Sequence, residues 1–254
     1  MTRSRPKIGR VQAPCAYMIL YWRVFLGVAG YRPKHSLWIL DRVRRFVSRA
    51  RKTPRRAHLL LKLMLVLKES HGEVLVDEIS LTTLNLQEAR KAFCALPREP
   101  FMFTASLRKN LDPEEIYADE ELWNTLEAVR MKDYVEELSR QLNYIMTQPS
   151  RFSRTQLLLL SLARAILQKK RIVIMDEVVS SVDFNTLRII NNVVKHQFSH
   201  CTVINIAYGP IGLETILYHD RVVVMEEGRI VEMDRPQALL ERENSLLSGF
   251  LSRS

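Results

Sequence analysis

Beyond about residue 70, apolar residues come in short runs separated by stretches of helical periodicity. Glu73-Val-Leu-Val-Asp77 follows Gly72 and predicts a short strand. Asp119-Glu-Glu-Leu-Trp-Asn-Thr-Leu-Glu-Ala-Val129 opens on acids suited to a helix N-terminus and sets Leu122, Leu126 and Val129 near one face. A second helical stretch is expected from about Met131 to Leu142. Gln156 to Gln168 predicts a Leu-rich helix, and Lys169-Lys-Arg171 closes it in the right electrostatic sense. Arg171-Ile-Val-Ile-Met175 predicts a buried strand that delivers Asp176-Glu177 at its end. A helix over about Thr186–Gln197, a strand over Cys201–Ile206 and a hairpin around Glu226-Glu-Gly228 follow. Continuous apolar strands alternating with helices imply a parallel sheet covered on both faces, so the fold class is α/β rather than a bundle or a sandwich.

The first part of the chain has a different character. Residues 1–56 hold 15 Lys or Arg against one acid, Asp41, whereas the rest holds 23 basic and 27 acidic residues. The net charge of +10 therefore belongs to a basic N-terminal region (1–56) joined to a mildly acidic body (57–254). Within the basic region, Ala13–Trp22 is apolar, Arg23 breaks the run, and Val24–Gly30 resumes it. A buried strand or helix is the plain reading and membrane-surface contact the second; the run is short for a bilayer span, and no cleavage-site pattern follows it. Eight basic side chains between Arg42 and Arg56 would suit an anionic lipid surface as readily as a solvated linker. With no zinc-finger, RNP-like or helix-turn-helix pattern beside them, nucleic acid is disfavoured as a partner. Three well-separated cysteines, Cys15, Cys94 and Cys201, suggest neither a disulfide framework nor a cysteine-built metal site.

Functional groups of open α/β sheets collect beyond the carboxyl ends of the strands. Asp176 and Glu177 stand at such an end, and their spacing suits Asp176 holding Mg²⁺ while Glu177 polarises a water. The same pair would also serve to cap a turn or to neutralise Lys169, Lys170 and Arg171.

The surrounding segments decide between these readings. Phe101–Pro113, Arg151-Phe-Ser-Arg-Thr-Gln156 followed by Leu162-Ala-Arg-Ala165, Ile172-Val-Ile-Met-Asp-Glu177 and Ser180-Ser-Val-Asp183 come in order and at regular intervals. They resemble, respectively, the segment after the glutamine loop, the signature loop and its helix, the Walker B strand, and the D-loop of ATP-binding cassette nucleotide-binding domains. The resemblance runs from about Leu59 to Leu251 and is greatest to the second such domain of the multidrug-resistance-associated, conjugate-exporter subfamily. It implies a P-loop-NTPase-like cassette domain with a parallel sheet core, a helical signature lobe over about 114–165, and an incomplete N-terminal part. It also implies ATP and Mg²⁺ as cofactors, transmembrane domains and a second nucleotide-binding domain as partners, and a place at the cytoplasmic face of a membrane by association. By the same resemblance Asp176 would hold Mg²⁺ and Glu177 would act on water. Ser153, Gln156 and Asp183 would face nucleotide, and Tyr31 would stack on adenine.

Departures from the family pattern are as informative as the matches. Where the phosphate loop is expected, Arg51-Lys-Thr-Pro-Arg-Arg-Ala-His58 has no glycine, and none occurs between Gly30 and Gly72. Successive backbone N–H groups need such glycines to wrap a phosphate, and Pro54 removes one donor more. The strand that the family pattern places before this loop is also missing, and its loss would leave neighbouring sheet edges unpaired unless residues 13–50 fill the space. Arg98 replaces the glutamine that senses metal, and a guanidinium would repel a cation. Arg154 and Thr155 replace small residues of the signature loop, and Tyr208 replaces the switch histidine. These changes predict a degenerate or truncated domain of an ATP-driven exporter, with negligible hydrolysis by the chain alone. The alternatives are a non-catalytic docking or regulatory partner of another cassette domain, or a non-functional gene fragment.

Overall fold

The computed structural model describes residues 18–23, 75–76, 79–80, 85–147, 151–178, 182–207, 213–226 and 229–251. A six-stranded sheet forms the frame, in the order β10-β9-β1-β8-β7-β4. Three of its strands run parallel: β4 (Phe93–Leu96), β7 (Ile172–Asp176) and β8 (Thr202–Ala207), with Leu96 opposite Met175 and Asp176 opposite Ile206. All five residues of β7 are buried, as expected of a central strand rich in β-branched residues and covered on both faces. β9 (Arg221–Glu226) and β10 (Arg229–Asp234) make the expected hairpin, with a register shift between Ile230 and Glu232.

β1 (Met18–Arg23) closes the sheet between β8 and β9, antiparallel to both. Ile19 pairs with Ala207 and Arg23 with Val203, so the chain enters β1 near the carboxyl end of β8 and leaves it near the start of β8. The described part of the apolar run, with Arg23, is thus a strand, and it pairs backbones that would otherwise be exposed.

The helical lobe packs against this frame. α1 (Leu86–Lys91) precedes β4, and a two-stranded ribbon of β5 (Ala105–Ser106) and β6 (Ile145–Met146) brackets the lobe. A separate ribbon joins β2 (Leu75–Val76) to β3 (Ile79–Ser80), inside and just beyond the strand expected over 73–77. Between β5 and β6 come α2 (Leu107–Leu111) and α3 (Asp119–Ala128). Leu122 and Leu126 of α3 are fully buried, and three acids lie in its first turn. The helix stops in a Schellman turn: Met131 N–H donates to the Leu126 carbonyl (2.8 Å), Arg130 N–H to that of Glu127 (3.0 Å), and Arg130 takes a left-handed φ of 59°.

The helix expected over 131–142 is instead α4 (Lys132–Glu136), a turn, and a 3₁₀ segment at Gln141–Asn143. α4 ends at Glu136, well before Gln141 takes a left-handed φ of 48°, and Leu142 is buried in the same core as Val135 and Met146.

α5 (Arg154–Leu167) is apolar around most of its circumference, with Leu158, Leu159, Leu160, Leu162 and Ala163 buried, and it joins the lobe to the sheet in one core. After β7, α6 (Phe184–His196) buries Thr186, Ile190, Val193 and Val194 on one stripe and carries Lys195 and His196 in its last turn. α7 (Leu213–Leu217), α8 (Pro236–Leu240) and α9 (Leu246–Phe250) cover the hairpin end, where Ile216, Val222, Val224, Leu239 and Leu247 form a second small core. Among the described residues no helix is long and apolar enough to cross a membrane.

Candidate functional site

Parallel neighbours β4 and β7 end side by side, so the segments that follow them share the carboxyl edge of the sheet. Asp176, the last residue of β7, is buried. Glu177 continues the ladder for one more step, its N–H donating to the Ile206 carbonyl at 2.8 Å, but with φ 53° it leaves the strand conformation. A left-handed non-glycine residue costs roughly 1–2 kcal/mol and persists only when held by its surroundings.

One of the contacts holding it is Arg98, two residues past the end of β4. Arg98 Nη1 lies 2.7 Å from Glu177 Oε2; the arginine side chain is 58% exposed and that of the glutamate 15%. The next residue, Glu99, pairs with Arg154 at the start of α5 (3.0 Å), and Arg154 also donates to the Arg98 carbonyl (3.4 Å). Consecutive residues of the Pro97–Pro100 loop thus grip the end of β7 on one side and the first turn of α5 on the other. The alternation of Arg98 and Glu99 between two prolines is the signal in the sequence; the pairing with Arg154 was not anticipated.

Arg164 fixes the segment that follows. Its Nε donates to the Asn110 carbonyl (2.7 Å) and its Nη1 to that of Phe101 (3.2 Å). Asn110 in turn exchanges two 2.9 Å bonds with the backbone of Phe103. This staple couples Phe101–Pro113 to the helix carrying Leu162-Ala-Arg-Ala165.

Ser153 and Gln156 meet at the N-terminus of α5 in a capping box. The Ser153 hydroxyl accepts from Gln156 N–H (3.2 Å), and the Gln156 side-chain oxygen accepts from Ser153 N–H (2.8 Å). Phe152, buried edge-on against Tyr134 and Tyr144 at ring distances of 5.4 and 6.0 Å, anchors the loop before the cap. Asp183 caps α6: its carboxylate accepts from the Thr186 hydroxyl (2.6 Å) and backbone N–H (3.0 Å), and these bonds, the hydroxyl foremost, hold its carboxyl below the ordinary aspartate range. Tyr31 and Tyr208 lie outside the described residues.

Buried Cys94 and Cys201 supply no nucleophile, because burial pushes both thiols up to about 11. Among the described residues no group of three or more His, Cys, Asp or Glu side chains is arranged to hold a metal ion. Asp176 and Glu177 provide two carboxylates, but a guanidinium is seated on the second. A hard divalent cation calls for uncommitted oxygen ligands and is repelled by fixed positive charge, so this donor set does not fit Mg²⁺. Residues 51–58, where the phosphate loop is expected, lie outside the described residues.

A parallel-stranded core, a helical lobe joined to it by one capped helix, and an Asp-Glu pair at the carboxyl edge accompany a resemblance to ABC-transporter nucleotide-binding domains. Residues 58–180 match the family described as ABC transporter. The resemblance extends to the C subfamily. Over 188 residues, 74% of this chain, 39% are identical to human ATP-binding cassette sub-family C member 4, of which 14% is covered. Human sub-family C member 2 is 36% identical over 69% of this chain and 11% of its own length. The Dictyostelium discoideum ABC transporter C family member 14 is 34% identical over 69% of this chain and 13% of its own length. The chain thus spans about a seventh, or less, of the length of these relatives.

Proposed function

We propose that this chain is a nucleotide-binding domain, or a large part of one, from an ATP-driven exporter of the C subfamily, and that it no longer hydrolyses ATP. In this reading Asp176 is the metal-binding carboxylate by descent and Glu177 the residue that once acted on water. Ser153, Gln156 and Asp183 belong to surfaces that met nucleotide, with Tyr31 and Tyr208 at the adenine and switch positions. Transmembrane domains and a second nucleotide-binding domain are its partners, and the cytoplasmic face of a membrane is its place through them. Residues 57–254 are the cassette body, and residues 1–56, which lend β1 to its sheet, are otherwise a basic region that suits an anionic membrane surface.

The observation that carries the reading is the Arg98–Glu177 ion pair at 2.7 Å. A base acting on water must reach that water, and here its carboxylate is engaged by a guanidinium. Phosphoryl transfer depends chiefly on electrostatic stabilisation, and a glutamate with no phosphate held in front of it has little to act on. ATP–Mg²⁺ calorimetry on the monodisperse chain, with Asp176→Ala as control, tests it together with a phosphate-release assay. No detectable heat to several millimolar ATP and no turnover are expected. Turnover abolished by Glu177→Gln would overturn the reading.

A non-catalytic docking role is favoured by one further observation. The starts of α5 and α6 each carry a side-chain cap, and Phe184, next to Asp183, leaves a large apolar side chain 60% exposed.

A further inference from the structure

We infer that Arg98 is a tethered cation seated against the Asp176–Glu177 pair, where a divalent metal held by Asp176 would otherwise sit beside Glu177, so that the carboxyl edge of this sheet is closed to metal by the chain itself. The inference rests on the domain reading above and deepens it, since it concerns what the same site accepts.

Three observations carry it. Arg98 Nη1 stands 2.7 Å from Glu177 Oε2, the separation of a charge-assisted hydrogen bond. Glu177 keeps a left-handed backbone (φ 53°), and its N–H remains bonded to Ile206, so its carboxylate is presented at the sheet edge and not to the solvent at large. Arg98 is itself held at the level of the backbone, since Arg154 donates to its carbonyl and pairs with Glu99 beside it. The guanidinium is therefore delivered from a loop that Arg154, at the start of α5, holds beside it. A guanidinium satisfies a carboxylate with directed N–H donors and stays charged at any accessible pH, whereas a divalent ion would need that carboxylate for its own shell.

The test uses Mn²⁺ alone, without nucleotide, titrated into the full chain and followed by electron paramagnetic resonance. The wild-type protein is expected to take up no Mn²⁺ at Glu177 to millimolar concentration. Arg98→Gln is expected to raise affinity at least about tenfold, a modest step for removing a charge a few ångströms away after solvent screening. Arg98→Gln combined with Glu177→Gln should lose the gain. Folding is checked by circular dichroism; should Arg98→Gln fail to fold, Arg98→Met retains the aliphatic stem and carries the same test.

A wild-type site abolished by Glu177→Gln would overturn the inference, as would a folded Arg98 variant that binds Mn²⁺ no better than wild type. Either result leaves the domain reading standing, because ATP calorimetry and turnover decide that separately.

Discussion

Asp183 shows how one side chain serves as a local clamp. Its two carboxylate oxygens accept from the hydroxyl and the N–H of Thr186, which fixes the direction in which α6 leaves the segment after β7. Because these bonds favour the ionised form, its folded-state value lies below the ordinary aspartate value of about 3.9. Its stabilisation is present above that ordinary value and is lost as pH falls through the lower folded one. Asp183→Asn keeps a capping side chain without the charge. The wild-type advantage in urea midpoint over Asp183→Asn should hold at neutral pH and shrink as pH is lowered through the acidic carboxylate range; an advantage independent of pH would count against the clamp.

At the same scale, the two halves of the Arg98–Glu177 contact were legible differently. Glu177 announced itself as the residue after four apolar positions and an aspartate, and Arg98 as a basic residue where a neutral amide is the family pattern. Their direct pairing was not legible, because it depends on β4 and β7 being adjacent and ending at the same level. Glu99 and Arg154 stand 55 residues apart in sequence, and no periodic pattern links them.

Among the elements, α5 is the joint between lobe and sheet, and its start is specified by the reciprocal bonds of Ser153 and Gln156. Removing the hydroxyl leaves a first-turn N–H to water. Ser153→Ala should cost about 1 kcal/mol, with bounds of roughly 0.5–2 kcal/mol, seen as a lower urea midpoint at unchanged slope. No loss would mean that packing of Phe152 alone sets the start of the helix.

The sequence predicts α5 and β7 closely because each has a strong period and clear ends. It does not reveal the break after α4, since Leu138 and Leu142 keep helical spacing although the helix ends at Glu136. β4 escapes for a different reason: Phe93–Leu96 is only four residues long, and Ala95 adds little β preference.

For the molecule as a whole, the decisive feature is β1. An apolar run ending at Arg23 indicated a possible strand, but neither its direction nor its neighbours are encoded in a local pattern; both emerge from which backbone edges remain free. Leu20 pairs with Ile206 on one side and Val223 on the other. Leu20→Pro removes a central N–H and cannot sit in an inner strand. Hydrogen exchange of the amides of β8 and β9 should accelerate together in this variant, while those of β4 remain protected. Acceleration confined to β1 would show that the two flanks hold each other without it.

This arrangement also has a consequence in time. Both partners of β1 are encoded nearly the whole described chain after it. At ~5–20 residues per second on a ribosome, the strand waits some ten to forty seconds for them. During that wait it is an apolar segment with two open edges, and the central gap in the sheet is closed only once the β9 sequence has emerged. Synthesis of this protein therefore carries a long interval in which a chaperone or a neighbouring chain competes with β8 and β9 for the same strand.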